Sequence, residues 1–196
     1  MILRWTHLAI AATLATGVGA VAVSAAADVV PAKGKDSAAA TIRDTKGKAV
    51  GRLTIERAGY GKARVTVTVK GLDPGFHGFH IHATGTCDPK AVDPATGKVT
   101  PFFSAGGHFN LGKGAHGDHS GDLPPLLAAK DGTATASVIT DRFRVRHLSD
   151  DDGSAVIIHA LPDNLANIPE RYDPDPDEMT LKTGDAGGRV ACGVIK

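Results

Sequence analysis

Six of the chain's nine histidines fall between His77 and His119, in a pattern that folding alone does not require. The first group is Phe76-His77-Gly78-Phe79-His80-Ile81-His82. Then come Gly107-His108-Phe109-Asn110 and His116-Gly117-Asp118-His119-Ser120-Gly121-Asp122, and later Val156-Ile157-Ile158-His159. Imidazole suits copper and zinc, and a carboxylate among imidazoles suits zinc. Four histidines around one ion, and three histidines with an aspartate around a second, can be drawn if one histidine serves both.

Side chains on a strand alternate faces. If residues 76–82 are extended, Phe79 and Ile81 point to a core while His80 and His82 face outward side by side, a geometry for two ligands on one ion. Taken alone, such a pair reads equally well as an exposed polar face. His77 shares the core-facing parity of Phe79 and is read as structural, its ring bonded to backbone. In the second group, Gly106, Gly107, Gly112, Gly114, Gly117 and Gly121 let the segment fold back on itself. His108, His116, His119 and Asp122 would then form the closed four-ligand set of a structural zinc; a solvated polar loop is the alternative.

The elements that must carry these residues read as strands. Residues 50–56 alternate, and 64–70 alternate strictly, with Val65, Val67 and Val69 on one face. Gly71-Leu72-Asp73-Pro74-Gly75 is a turn. Residues 133–140, 155–159 and 189–195 are further short strands. No long amphipathic helix is evident, and the pattern predicts a β-sandwich or Greek-key barrel. The intervening stretches 83–107, 109–132 and 160–188 read as long loops. Loops of that length in a compact domain are usually functional or disordered, and ligands within them imply that metal binding orders them.

The chain has 196 residues and a formal net charge of +1. It therefore lacks the basic excess of a nucleic-acid-binding protein. Arg4, the apolar run 8–23 and the small residues Ser24-Ala25-Ala26-Ala27 have the layout of a secretory signal peptide over 1–27; a retained anchor is the alternative, since the run is close to spanning length. No cysteine lies nearby for lipid attachment. Residues 28–40 show no periodicity and read as a flexible tether, with the ordered domain spanning 41–196. The expectation is a secreted or periplasmic protein without a stable membrane anchor.

The segments Gly75 to His82, Ser104-Ala105-Gly106-Gly107-His108-Phe109-Asn110, His119-Ser120-Gly121-Asp122-Leu123-Pro124, Val156 to His159 and Gly187-Gly188-Arg189-Val190-Ala191-Cys192-Gly193-Val194-Ile195 together resemble the secreted bacterial copper/zinc superoxide dismutases. The resemblance runs from about Thr41 to the end. It implies an all-β, eight-stranded Greek-key barrel with long metal-binding loops.

Carried over residue by residue, it implies copper ligands His80, His82, His108 and His159. His108 would bridge to zinc, completed by His116, His119 and Asp122. Asp163 would hydrogen-bond one histidine of each set, and Arg189 would be the arginine beside copper. Cys87 and Cys192 would form a disulfide, which suits an exported protein. The cofactors would be Cu(II)/Cu(I) and Zn(II), the substrate the superoxide anion, and the products hydrogen peroxide and oxygen. His108 would take a proton as it leaves copper and return it on rebinding. A copper donor is a possible partner, with the chain a monomer or homodimer.

The stretch Glu170 to Glu178 carries five acids and one base and reads as a solvated loop away from the channel. Lys113, Lys130 and Lys182 are candidates for steering the anion. His147 matches no family role and reads as a surface residue. A non-catalytic copper/zinc buffer or delivery protein of the same fold is the competing reading, and an adhesive barrel a third. Loss of a copper ligand or of Arg189 would favour the buffer, and neither is lost.

Overall fold

Alternation in the sequence becomes alternation in burial. The computed structural model describes residues 36–196; the signal peptide expected over 1–27 and most of the tether lie outside them. The strands are β1 (Ser37–Asp44), β2 (Ala49–Arg57), β3 (Ala63–Val69), β4 (Gly75–His82), β5 (Asp122–Ala128), β6 (Ala134–Thr140), β7 (Ser154–His159) and β8 (Arg189–Ile195). One short helix, α1, covers Glu178–Thr183. Val65, Val67 and Val69 of β3 are buried, with exposed or half-buried residues between them.

All hydrogen-bonded strand pairs are antiparallel, in the order β5-β4-β7-β8-β1-β2-β3-β6. The two end strands, β5 and β6, approach each other, so the sheet rolls into a nearly closed barrel. The connections β3–β4 and β6–β7 join strands that are not neighbours, which gives the Greek-key character. Ile42, Leu53, Ile55, Val65, Val67, Phe79, Ile81, Leu126, Phe143, Leu148, Val156 and Ile158 fill the interior.

Every residue of β7 is buried. Val156 and Ile158 face the barrel core, while Ala155 and Ile157 pack on the other face against Phe102, Ala105 and Cys192. The second cluster lies under the segment that follows β4. Cys87, packed against it, is bonded to Cys192 of β8. The disulfide thus ties that segment to the wall of the barrel.

Three boundaries differ from the sequence reading. The ordered fold opens at Ser37, inside the stretch read as tether. Its Ala38-Ala39-Ala40 run has poor strand propensity, and pairing with β2 supplies what local preference does not. The loop read over 109–132 contains β5, disguised by Pro124-Pro125. An end strand hydrogen-bonded on one side tolerates proline, and here the pair falls opposite the register shift between His77 and Phe79. The stretch 160–188 contains α1, capped by Asp177, whose carboxylate accepts the Thr180 N–H at 2.9 Å.

Candidate metal centre

His80 and His82 do lie on the opposite face of β4 from Phe79 and Ile81, but they are not exposed. Their relative exposures are 0% and 1%, because the loops cover the outer face of the barrel there. Two backbone anchors hold that cover in place: the Phe109 N–H donates to the Ile81 carbonyl, and the Ile81 N–H to the Gly121 carbonyl. A Cβ on Gly121 would collide with the Ile81 carbonyl oxygen, so only glycine allows this approach.

His80, His82, His108 and His159 each offer one ring nitrogen within 4.8 Å of the others, and His108, His116, His119 and Asp122 do the same. His108 lies between the sets: its ring centroid is 4.1 Å from His80 and 4.9 Å from His82, and 5.3 Å from His119 and 5.4 Å from His116.

In four of the rings the second nitrogen fixes the tautomer. His82 Nδ1 donates to the Gly106 carbonyl at 2.9 Å and His159 Nδ1 to that of Gly187 at 3.1 Å. His80 Nε2 donates to Asp163 Oδ2 at 2.5 Å, and His116 Nε2 to Asp163 Oδ1 at 2.9 Å. What remains buried and unpartnered is His80 Nδ1, His82 Nε2, His159 Nε2, His116 Nδ1 and His119 Nδ1. Buried polar atoms are rarely left so, and five of them aimed at two points are the signature of ion sites.

In the second set the Asp122 carboxylate lies 2.7 Å from His108 Nδ1, 3.2 Å from His119 Nδ1 and 3.6 Å from His116 Nδ1. Tetrahedral zinc with bonds of about 2.0–2.1 Å sets ligand atoms roughly 3.3 Å apart, so the donor set fits that ion. Four imidazole nitrogens fit copper. His77, by contrast, has its ring nitrogens 2.7 and 2.8 Å from the carbonyl oxygens of His159 and Asp73. It is bonded to backbone, as its parity predicts.

Burial keeps most of these rings neutral, the form that ligates. It pushes His82 well below the usual histidine range, helped by Arg189. His159 is pushed down to about 3 by burial and by His80, and burial also lowers His80 and His119. In His116 burial acts the same way, but Asp163 and Asp122 outweigh it and raise the value. Burial pushes Asp122 up, yet the hydrogen bond from His108 and the other nearby imidazoles bring it down to about 2.

Arg189, at the start of β8, is half-buried and donates to the carbonyls of Phe102 at 2.6 Å and Gly106 at 2.7 Å. The Gly106 carbonyl thus accepts from both Arg189 and His82, linking the arginine to one set of imidazoles. Phe102 reaches this position with left-handed backbone angles, φ 60° and ψ 16°. The Phe103 ring lies 5.7 Å from the guanidinium carbon.

The acidic run, outside α1, is mostly exposed. His147 is half-buried rather than a free surface group: its Nδ1 accepts the Arg144 N–H at 3.2 Å and caps a short 3-10 turn.

Residues 49–195 match the family model for copper/zinc superoxide dismutase (SODC). A superoxide dismutase [Cu-Zn] of Mycolicibacterium paratuberculosis is 49% identical over 144 residues, 70% of this chain and 63% of that protein. The match therefore spans less than two thirds of that relative. One from Mycobacterium tuberculosis is 45% identical over 171 residues, covering 83% of this chain and 71% of the relative. Among solved structures, the Cu/Zn superoxide dismutase from Brucella abortus superposes with a TM-score of 0.62 at 29% identity, over 82% of this chain and 99% of that one.

Proposed function

The chain belongs to the copper/zinc superoxide dismutase family, and from that membership we propose that it dismutates superoxide to oxygen and hydrogen peroxide outside the cytoplasm. One observation carries the proposal: two complete donor sets share His108, with Arg189 anchored to the carbonyl that also orients His82.

His80, His82, His108 and His159 would hold copper, and His108, His116, His119 and Asp122 zinc. Copper held there would supply a one-electron redox couple for superoxide. Zinc has no redox chemistry and, held by its set, would order the loop.

The chain's own residues do the rest. Arg189 attracts the anion by charge and hydrogen bonding. Burial lowers its value to about 10, which leaves it cationic at neutral pH. Asp163 holds one imidazole of each set in the ligating tautomer. His108 Nδ1 is committed toward Asp122, so Nε2 is the atom free to take up and release a proton beside the anion. The buffer reading has no use for an arginine held in this way.

The test is metal analysis of purified protein beside a superoxide-consumption assay. Wild type should carry about one copper and one zinc per chain and consume superoxide. His80→Ala should lose copper and activity while keeping zinc. Full activity in that variant would sink the assignment.

A further inference from the structure

The loop that carries His116, His119 and Asp122 buries no apolar side chain between Asn110 and Gly121, so hydrogen bonds such as Leu111 N–H to Ser120 Oγ, at 3.1 Å, hold its shape. Around the ligands, Asp122 Oδ2 accepts the N–H groups of Gly117 at 2.7 Å and His119 at 3.0 Å. These satisfy the N–H groups of the two residues. The carbonyls of the same two residues are met by Arg142, whose Nη1 donates to them at 3.1 and 3.0 Å; that of His119 also accepts the Asp122 N–H at 3.1 Å. Arg142 is remote in sequence and lies just past β6, in a stretch that carries no motif.

Its anchorage is firm. The Arg142 N–H donates to Thr140 Oγ1, at the end of β6, at 3.2 Å. The next residue, Phe143, is 1% exposed and packs edge-on against Phe109, with ring centroids 6.4 Å apart. Phe109 adjoins His108. The segment after β6 therefore touches the site twice, beneath His108 through Phe143 and around His119 through Arg142. The ion pair from Arg142 to Asp118 is 3.5 Å long, and Asp118 is 81% exposed. Such a pair contributes little, and the two carbonyl bonds do the holding.

We propose that Arg142 is a positioning residue for the zinc half of the centre. With one nitrogen it clamps the peptides that bear His119 and follow His116, so that both Nδ1 atoms and the Asp122 carboxylate stand in place before the ion arrives. Its loss leaves the Gly117 carbonyl without this partner and the His119 carbonyl with only the Asp122 N–H, at 3.1 Å. The barrel loses nothing it needs, but the loop must be ordered by the ion itself, and affinity falls. The proposal rests on the assignment of zinc to this set.

The experiment is zinc binding by the full chain, measured by competition with a chromogenic chelator, together with cobalt substitution. Arg142→Ala should weaken zinc by about 10-fold or more, the usual cost of losing a group that orients ligands. Arg142→Lys should recover part of that, since it keeps a donor but not the fork. The cobalt absorption of the Ala variant should weaken or shift from the tetrahedral pattern. Melting of the metal-free Ala variant should drop by no more than about 2 °C, as expected for a surface change.

Arg146→Ala, an exposed neighbour in the same basic stretch, should leave zinc affinity within about twofold. Unchanged zinc affinity and cobalt spectrum in Arg142→Ala would overturn the proposal while leaving the zinc assignment intact. So would an equal loss in Arg146→Ala, or an equal fall in melting temperature with and without zinc. Wild-type protein that takes no zinc at this set would overturn the assignment and the proposal together.

Discussion

At the level of single residues, the Asp163 carboxylate decides which nitrogen each of two rings presents to an ion. Burial pushes its value up, but the hydrogen bonds from His116, His80 and the Leu165 N–H together hold it well below the usual carboxylate range. Oδ1 accepts from both His116 Nε2 and Leu165 N, the latter at 2.6 Å, whereas Oδ2 faces His80 alone. The two oxygens are therefore unequal, and Asp163→Asn should expose the difference. The amide oxygen keeps the Oδ1 position, where two donors need an acceptor, and its NH2 is turned toward His80 Nε2. His80 must then accept at Nε2 and carry its proton on Nδ1, the atom that would ligate copper. Copper affinity should fall by about 10- to 100-fold and zinc affinity by much less. Chelator competition for the two ions checks this, and equal losses would refute it. Arg189 calls for a different test. Arg189→Ala should retain both metals and lose superoxide turnover, and Lys should recover part of it. Rising salt should slow wild type more than the Ala variant. Wild-type turnover and salt dependence in the Ala variant would mark Arg189 as a surface charge.

At the level of elements, what could be read from the sequence divides by physical cause. Strands whose pattern is local were legible: β3 alternates because one face is core and the other water, and the His80–His82 pair follows from the same period. His77 was placed on backbone by parity alone. The elements that escaped are those whose stability comes from a partner. β1 is rich in alanine and becomes a strand by pairing with β2, and β5 contains a proline pair, Pro124-Pro125, that a one-sided strand opposite a bulge accepts. The burial of His80 and His82 was equally out of reach, since it depends on loops folding back over the barrel. Arg142 had no signal, because two carbonyl acceptors leave no trace in residue type. One element-level link is testable. The disulfide closes a separation of 105 residues, for which loop entropy gives about 4–5 kcal/mol. Removing it should lower the melting temperature by roughly 10–20 °C for a domain of this size. Cys87 packs beside Phe102, whose carbonyl holds Arg189. Reduced protein should therefore lose activity below its melting range, with metals still bound. Activity that persists until unfolding would show that the bond serves stability alone.

At the level of the whole molecule, the centre gathers ionisable groups that the fold holds in unusual states, so stability must vary with pH. In the metal-free protein His80, His82 and His119 lie below the usual 6.5, and His159 lies at about 3. As pH falls below 6.5 the unfolded chain gains protons that the folded chain refuses, so each of these groups costs stability on acidification. For His159 that loss runs from 6.5 down to about 3. His116, raised by its two carboxylates, has the opposite sign: its contribution is lost as pH rises through its folded value. Its window lies above 6.5, where the other four are silent, so below 6.5 nothing offsets them and stability falls on acidification. Asp122, at about 2 against 3.8, extends the loss once pH drops below 3.8. Metal-free protein should therefore melt highest near about pH 6.5–7, somewhat lower as pH rises through the folded value of His116, and progressively lower as pH falls. Bound ions add to the contrast, because they compete with protons for the same nitrogens. Loaded protein should hold its melting temperature further into acid and then lose it steeply, as protons displace the ions. Calorimetry of both forms between pH 4 and 8 provides the check. A metal-free protein whose melting temperature stays flat or rises as pH falls from 7 to 4 would mean that these imidazoles are not held neutral by burial, and the donor sets would lose their physical basis.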